Sequence, residues 1–308
     1  MPDAENGAAL GIAFVLGAAV LLSFKGIFIK LAYAEDVGVV ALLWLRFAIA
    51  LPFFWVFALW RLGPDGIFRI ERRDFLAALI GGGVTSWGAW IADFTALSMI
   101  DVSLSRIILF SYPAFVLLFD SLRRGRAPPL RQWVALILIE AGVVLSLGGF
   151  DVAYMAANLE GAAWAMLSGL VFAIYIVINQ ETTTRTGSIR FTLFAVTGAC
   201  TVLTVHFFVA RPVAELAVSP MGLLWAGMIA LFATLLPYLM FSEGIRRAGA
   251  SRASLVSALG PPATIALAFV ILGESIGPIQ LIGGAVVILG VIALEARRRK
   301  PAISPDTE

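Results

Sequence analysis

The sequence is short of charge: 14% of its 308 residues are Asp, Glu, Lys or Arg, where a soluble domain carries about 25%. With 60% hydrophobic residues and a mean hydropathy of +0.96, the chain has more apolar surface than a globular interior hides, so its solvent is lipid. Cys200 is the single cysteine, which excludes an intramolecular disulfide. His206 is the single histidine, too few for a metal site. A net charge of +2 argues against a nucleic-acid partner. Gly81-Gly82-Gly83 is not a phosphate loop, because no lysine follows and the glycines sit in an apolar run, where close helix packing accounts for them. Nothing else resembles a nucleotide-binding motif, so the chain alone makes no use of ATP, and no cofactor is implied. An acid-rich metal motif and an activated nucleophile are also missing. That argues against an enzyme such as a lipid-modifying transferase embedded in the membrane.

What the chain does have is apolar runs. A helix needs roughly 20 apolar residues to cross the hydrocarbon core. Ten runs meet that need: 8–32, 37–60, 75–99, 102–122, 131–150, 159–180, 189–210, 220–246, 251–272 and 277–295. They are continuous rather than alternating, which excludes a closed barrel. The acidic start "MPDAENG" lacks the basic stretch of a secretory signal, and the run from Ala8 to Tyr33 is too long for one despite the small-residue pattern Ala32-Tyr33-Ala34. It is therefore read as the first membrane helix.

Basic residues orient the spans. With both termini and the even-numbered connections inside, seventeen of the 22 basic residues lie inside and Arg211 alone lies outside. Lys25, Lys30, Arg46 and Arg106 fall within or at the edge of spans. This bias predicts cytoplasmic termini, and the clusters are topology determinants at an anionic lipid leaflet. The tail, 296–308, is expected to be disordered.

The fourth and ninth spans carry proline in matching places, where a helix interior pays about 3 kcal/mol for it: "FSYPAFVLLFD" with Pro113 and "LGPPATIALAF" with Pro261 and Pro262. Sliding the chain on itself by 148–150 residues aligns them, together with Gly11 and Gly161, Trp90 and Tyr238, Ser103 and Ser251, Gln132 and Gln280, and Gly142 and Gly290. The expected organisation is thus all-α, with ten transmembrane helices as two five-helix repeats, 8–150 and 159–295. An odd span count inverts the second repeat relative to the first. Inverted repeats with interrupted helices beside a midplane site are a transporter signature, and Pro113, Pro261 and Pro262 are candidate hinges.

The arrangement resembles the drug/metabolite transporter superfamily, in particular its EamA-type ten-helix members. The likeness rests on "SFKGIFIKLAY" (23–33), "LLWLRFAIALP" (42–52), the proline-bearing fourth and ninth spans and "VILGES" (270–275), where Glu274 sits at the usual end of the ninth span. At the matching place in the first repeat this chain has Arg126, and Lys25 stands where many relatives have a small or neutral polar residue. The resemblance implies movement of small polar metabolites, often amino acids, outward across a bacterial inner membrane. It leaves other drugs and metabolites, cationic or nucleotide-like, as alternative substrates.

Ionisable residues at membrane depth are functional candidates. Counting about 1.5 Å per residue puts Lys25 and Asp93 at similar depth, as a structural ion pair or as part of a binding site. The same count puts Arg46 about 13 Å from the outer edge, where its guanidinium suits a carboxylate. Glu140 is the nearest partner for Arg46 by depth, although the resemblance makes its span peripheral and suggests packing or a protomer contact instead. Ser86, Trp90, Asp93 and Leu97 form one helical stripe, bordered by Trp87 and Phe94. Pro237, Tyr238 and Ser242 are the counterpart, and Tyr175 aligns with Lys25. The candidate substrate-binding set is Lys25, Arg46, Ser86, Trp90, Asp93, Tyr175 and Tyr238. The expected partners are a small-molecule substrate, membrane lipid and a coupling proton.

Overall fold

The computed structural model describes residues 2–100, 102–146, 158–272 and 277–296. Glu274, the 297–308 tail and all but Asn158 of the 151–158 connection lie outside them, as do the side chains of Phe94 and Leu97. All regular structure among the described residues is helical. In chain order it comprises α1 (Pro2–Ser23), α2 (Lys25–Tyr33), α3 (Val39–Phe68), α4 (Arg72–Leu76), a π-helical segment Ala77–Gly82, α5 (Gly83–Met99), α6 (Val102–Leu109), α7 (Tyr112–Arg124) and α8 (Leu130–Ser146). Beyond the long connection come α9 (Leu159–Thr186), α10 (Ser188–Ala210), a 3-10 turn Val213–Leu216, α11 (Pro220–Ala230), a second π segment Leu231–Leu235, α12 (Leu236–Ala248), α13 (Ala250–Ser257), α14 (Gly260–Leu272) and α15 (Pro278–Ala296). Helices satisfy every backbone group within the segment, which is why lipid favours them.

Five helical stretches among the described residues are long and apolar enough to cross a membrane: Val39–Phe68, Arg72–Asp93, Leu159–Thr186, Ser188–Ala210 and Pro220–Ala248. Three of the ten apolar runs are split into shorter helices. The run 8–32 divides at Phe24, 102–122 at Phe110–Ser111 and 251–272 at Ala258–Leu259. The runs 131–150 and 277–295 appear as α8 and α15, of 17 and 19 residues.

The prolines are not mid-helix interruptions, which corrects the sequence reading. Pro113 is the second residue of α7 and Pro261 the second of α14. In a first turn the missing N–H has no intrahelical acceptor to lose. Each break comes just before the prolines and is closed by tight turns. Ser111 N–H donates to Ile108 O (3.1 Å) and Ala114 N–H to Ser111 O (3.0 Å). Likewise Ala258 N–H donates to Leu255 O (3.3 Å) and Leu259 N–H to Val256 O (3.2 Å). The break at Phe24 has no proline. There Ser23 Oγ lies 2.8 Å from Ala19 O and 3.1 Å from Gly260 O, which ties it to the first residue of α14.

Helix contacts repeat at the sequence offset with the two halves exchanged. A Cβ at Gly11 would lie 2.9 Å from Ala248 N, and one at Gly161 would lie 2.6 Å from Ile100 Cγ2. A Cβ at Gly142 would lie 2.6 Å from Val287 N, and one at Gly290 would lie 3.2 Å from Ile139 N. Ala248 and Val287 are the offset partners of Ile100 and Ile139. Thus α1 packs on α12 as α9 packs on α5, and α8 packs on α15 in a self-complementary way. The π segments fall in the third and eighth apolar runs, another pair under the offset. Gly83, just after the first of them, approaches α10 so closely that a Cβ would lie 2.8 Å from the Gly198 main chain.

Such approaches leave no room for side chains. Gly142→Leu is expected to lower the thermal midpoint of the purified protein, since overpacking costs about 1–3 kcal/mol. Gly227→Leu, at a position with nothing within 4 Å of an added Cβ, should leave it nearly unchanged. Unfolding followed by intrinsic tryptophan fluorescence in detergent compares the two.

Candidate substrate site

Breaking the first apolar run at Phe24 makes Lys25 the opening residue of α2 and turns it toward α5. Its Nζ lies 4.4 Å from the centre of the Trp90 ring. Arg46, from the third turn of α3, reaches the same ring with its Cζ 4.1 Å from the centre, and lies 4.6 Å from the centre of the Phe47 ring. Two cations therefore share one indole. A desolvated cation–π contact is worth about 2 kcal/mol, an attraction that offsets part of the cost of burying each charge.

Arg46 is 2% exposed. Its Nη2 donates to the Tyr238 hydroxyl of α12 over 3.4 Å, and its Nε has no hydrogen-bond partner among the described residues. Asp93, one turn beyond Trp90 and 4% exposed, acts on Arg46 electrostatically. Glu140, the partner suggested by depth, does not pair with Arg46; the guanidinium is held by aromatic groups instead. Buried guanidinium is costly unless matched, so the unfilled Nε is the feature of Arg46 most in need of an acceptor.

Tyr238 leads to a second layer. Tyr175 of α9 is 6% exposed, interacts with Tyr238, Asn179 and Ser242, and lies 5.9 Å from Phe172 in a stacked arrangement. Asn179 Nδ2 donates to Ser242 Oγ at 3.0 Å. Tyr175 and Asn179 on α9 thus face Tyr238 and Ser242 on α12, each pair four residues apart. Ser86 is buried one turn before Trp90. The structure brings Lys25, Arg46, Trp90, Asp93 and Tyr238 together, with Tyr175 attached through Tyr238. Asn179 and Phe47 were missed. Asn179 was visible as an amide in the apolar run 159–180, one turn beyond Tyr175.

A recess between Ile29 and Tyr33 of α2, Leu42 and Leu43 of α3 and Ile229 of α11 ends on Arg46, but its volume is about 10 Å³, room for one water. The opposite, arginine-rich end is held by polar ties. Asp74 of α4 accepts from Arg185 of α9 through both oxygens, at 2.9 and 3.1 Å from Nε. Arg123 of α7 pairs with Glu181 of α9 at 2.7 Å, and Ser251 Oγ of α13 donates to Asp120 of α7 at 2.7 Å. Glu243 gathers Ser188 (2.6 Å), Arg246 (2.8 Å) and Arg247. The one-residue junctions at Gly187 and Gly249 (φ 86° at both) set these groups in place, a backbone geometry open to glycine and strained for other residues.

His206 is a structural neighbour of Trp87, whose Nε1 donates to its Nδ1 over 3.4 Å. Among the described residues, no cluster of three His, Cys, Asp or Glu has the proximity to hold a metal.

Comparison with known proteins follows the same division of the chain. The EamA-like transporter family matches residues 9–148 and 159–295. An uncharacterized transporter of Bacillus subtilis (strain 168), YcbK, is 32% identical over 302 residues, covering 95% of this chain and 95% of its own. The threonine/homoserine exporter RhtA of Escherichia coli (strain K12) is 26% identical over 230 residues, covering 74% of this chain and 72% of its own. A solved crystal structure shares the fold with a TM-score of 0.79 over 96% of this chain and 99% of that one, at 16% identity. Paired matches spanning both halves, a full-length relative and a multi-helix apolar fold agree: the chain belongs to the EamA-like transporter family.

Proposed function

We propose that the protein is a secondary transporter that exports small zwitterionic metabolites, amino acids among them, from the cytoplasm across a bacterial inner membrane by alternating access. The observation that carries this reading is Arg46: a guanidinium 2% exposed, stacked on Trp90, with Nε lacking an acceptor. A substrate carboxylate supplies that acceptor in the bidentate geometry guanidinium favours, and Lys25 adds positive charge on the same indole. Asp93 and the Tyr238 hydroxyl suit an ammonium group. Two cations around one ring argue against purely cationic substrates. The threonine/homoserine exporter among the relatives supports the substrate class.

In this reading the segments 8–150 and 159–295 are inverted five-span repeats, ten crossings in all, with the split runs counted as broken spans. The exchanged contacts of Gly11 with Gly161 and of Gly142 with Gly290 support it. The helix breaks beside Pro113 and Pro261 are the hinges, and the arginine-rich end is cytoplasmic. An occluded state is consistent with the one recess that reaches Arg46, whose volume of about 10 Å³ is far below that of a metabolite.

Orientation has a direct test. Cysteine introduced at Asn158, between the repeats, is expected to react with an impermeant maleimide added to intact cells of the Cys200→Ser background. Labelling only after lysis would reverse the topology. Transport itself is tested by efflux of a labelled amino-acid panel from proteoliposomes.

A further inference from the structure

Glu140 plays no part in the cluster around Arg46, yet it is a carboxylate in the middle of the apolar helix α8. Its Oε1 is buried and has no hydrogen-bond partner among the described residues. An isolated carboxylate in such a place is far costlier ionised than protonated. The neighbour that feels it is Tyr112, which interacts with Glu140 electrostatically. Tyr112 opens α7, directly after the break at Phe110–Ser111. Its hydroxyl bonds to Ser257 Oγ and lies 3.4 Å from Ser254 O, on the last turns of α13. The break at Ala258–Leu259 follows at once. A single phenol therefore links the two paired helix breaks, and an orphaned carboxyl lies within electrostatic reach of it.

Other charge is scarce around this place. The helices packed on α8 are α6, α13, α14 and α15. Arg106 is the only charged residue in the sequence of α6, Arg252 in that of α13 and Glu295 in that of α15, and α14 has none. On α8 itself Arg131 is nine positions away, about 13 Å along the axis. On α7 the nearest is Asp120, eight positions beyond Tyr112 and engaged with Ser251 and Arg124.

We propose that Glu140 is a proton-binding site whose loading and unloading drive the movement of the broken helices α6–α7 and α13–α14. The step involves no covalent change beyond one O–H bond. Carboxylate oxygen takes a proton from water that reaches it on one side of the membrane, and returns it to water on the other side once the breaks have rearranged. With the proton on, the carboxyl is neutral and the apolar packing around α8 stays closed. With it off, the charge needs water or a donor, and the Tyr112 hydroxyl is the donor at hand. Turning the hydroxyl that way weakens its contacts with Ser254 O and Ser257 Oγ and loosens the tie between the breaks. This rests on the secondary-transporter reading, and it names the coupling ion for it.

The test uses ligand-free full-length protein in nanodiscs, so that it stands apart from substrate identity. Infrared difference spectra between pH 5 and pH 10 follow the carbonyl band of a protonated carboxyl. Spin labels at Leu122 on α7 and Val270 on α14, both exposed, report the distance between the broken helices over the same series. Wild type is expected to lose the band and shift the distance distribution with one common midpoint. Glu140→Gln, which mimics the protonated form, should lack the band and hold the low-pH distribution throughout. Glu140→Asp should keep both changes with a displaced midpoint, and it decides the matter if the glutamine variant does not fold. An unchanged distance shift in Glu140→Gln, or a wild type with neither change, overturns the proposal. Failure of amino-acid efflux with an intact titration would instead strike the substrate reading alone.

Discussion

Arg46→Gln is expected to weaken amino-acid binding by roughly ten- to a hundredfold, the equivalent of the 1.5–3 kcal/mol that a hydrogen bond to a charged group contributes. Glutamine keeps donor capacity and much of the volume but removes the charge and the planar fork. The cation–π contact with Trp90 goes too, so the indole loses one of its two anchors. Arg46→Lys separates charge from geometry. A lysine restores charge without the fork, and binding should recover in part. Calorimetry on folded, monodisperse variants reads the series, with far-ultraviolet dichroism confirming the fold. The Asp93→Asn variant should weaken binding of zwitterions more than binding of simple carboxylates, because Asp93 is assigned to the ammonium group.

Arg185→Gln is expected to open the arginine-rich end. Asp74 is 3% exposed, and its two-oxygen contact with Arg185 joins the beginning of the third apolar run to the end of the sixth. Removing the arginine leaves a buried carboxylate without that partner; the loss falls below the roughly 3–5 kcal/mol of fully buried pairs, because the Arg185 side chain is 44% exposed and water screens it. The closed state suffers that loss and an open, hydrated state does not. Cysteine at Ser86, deep in the third run, should then react faster with maleimide supplied from the cytoplasmic side. Asp74→Asn should do less, since it removes the buried charge itself. The exchange Asp74→Arg with Arg185→Asp should restore slow labelling. Equal labelling rates in all four proteins would make the pair an ordinary brace.

Composition alone makes the membrane environment legible, and the common offset of weak matches points to two halves. The candidate cluster was partly legible for the same reason: a charged or aromatic residue inside an apolar run stands out, as Lys25, Arg46, Trp90, Asp93 and Tyr238 do. What the sequence did not reveal was continuity. The break at Phe24 has no proline and arises from contact, as Ser23 reaches both Ala19 O and Gly260 O. The prolines, conversely, drew attention to a helix interior when they open new helices. The π segments at Ala77–Gly82 and Leu231–Leu235 come from tertiary fit, such as the approach of Gly83 to Gly198, which no local pattern records. Depth counting put Glu140 nearest to Arg46, yet the two do not pair. Similar depth does not place two residues on facing sides of their helices.

The measurement that tests the central claim most directly is counterflow in proteoliposomes. Vesicles containing the purified protein are loaded with labelled threonine and challenged with unlabelled threonine or with 1-amino-2-propanol, the same molecule without its carboxylate. If Arg46 anchors a carboxylate, threonine should exchange with label in the wild type and not in Arg46→Gln, while the amino alcohol should fail to exchange in both. Exchange driven as well by the amino alcohol as by threonine, or undiminished in Arg46→Gln, would contradict the account.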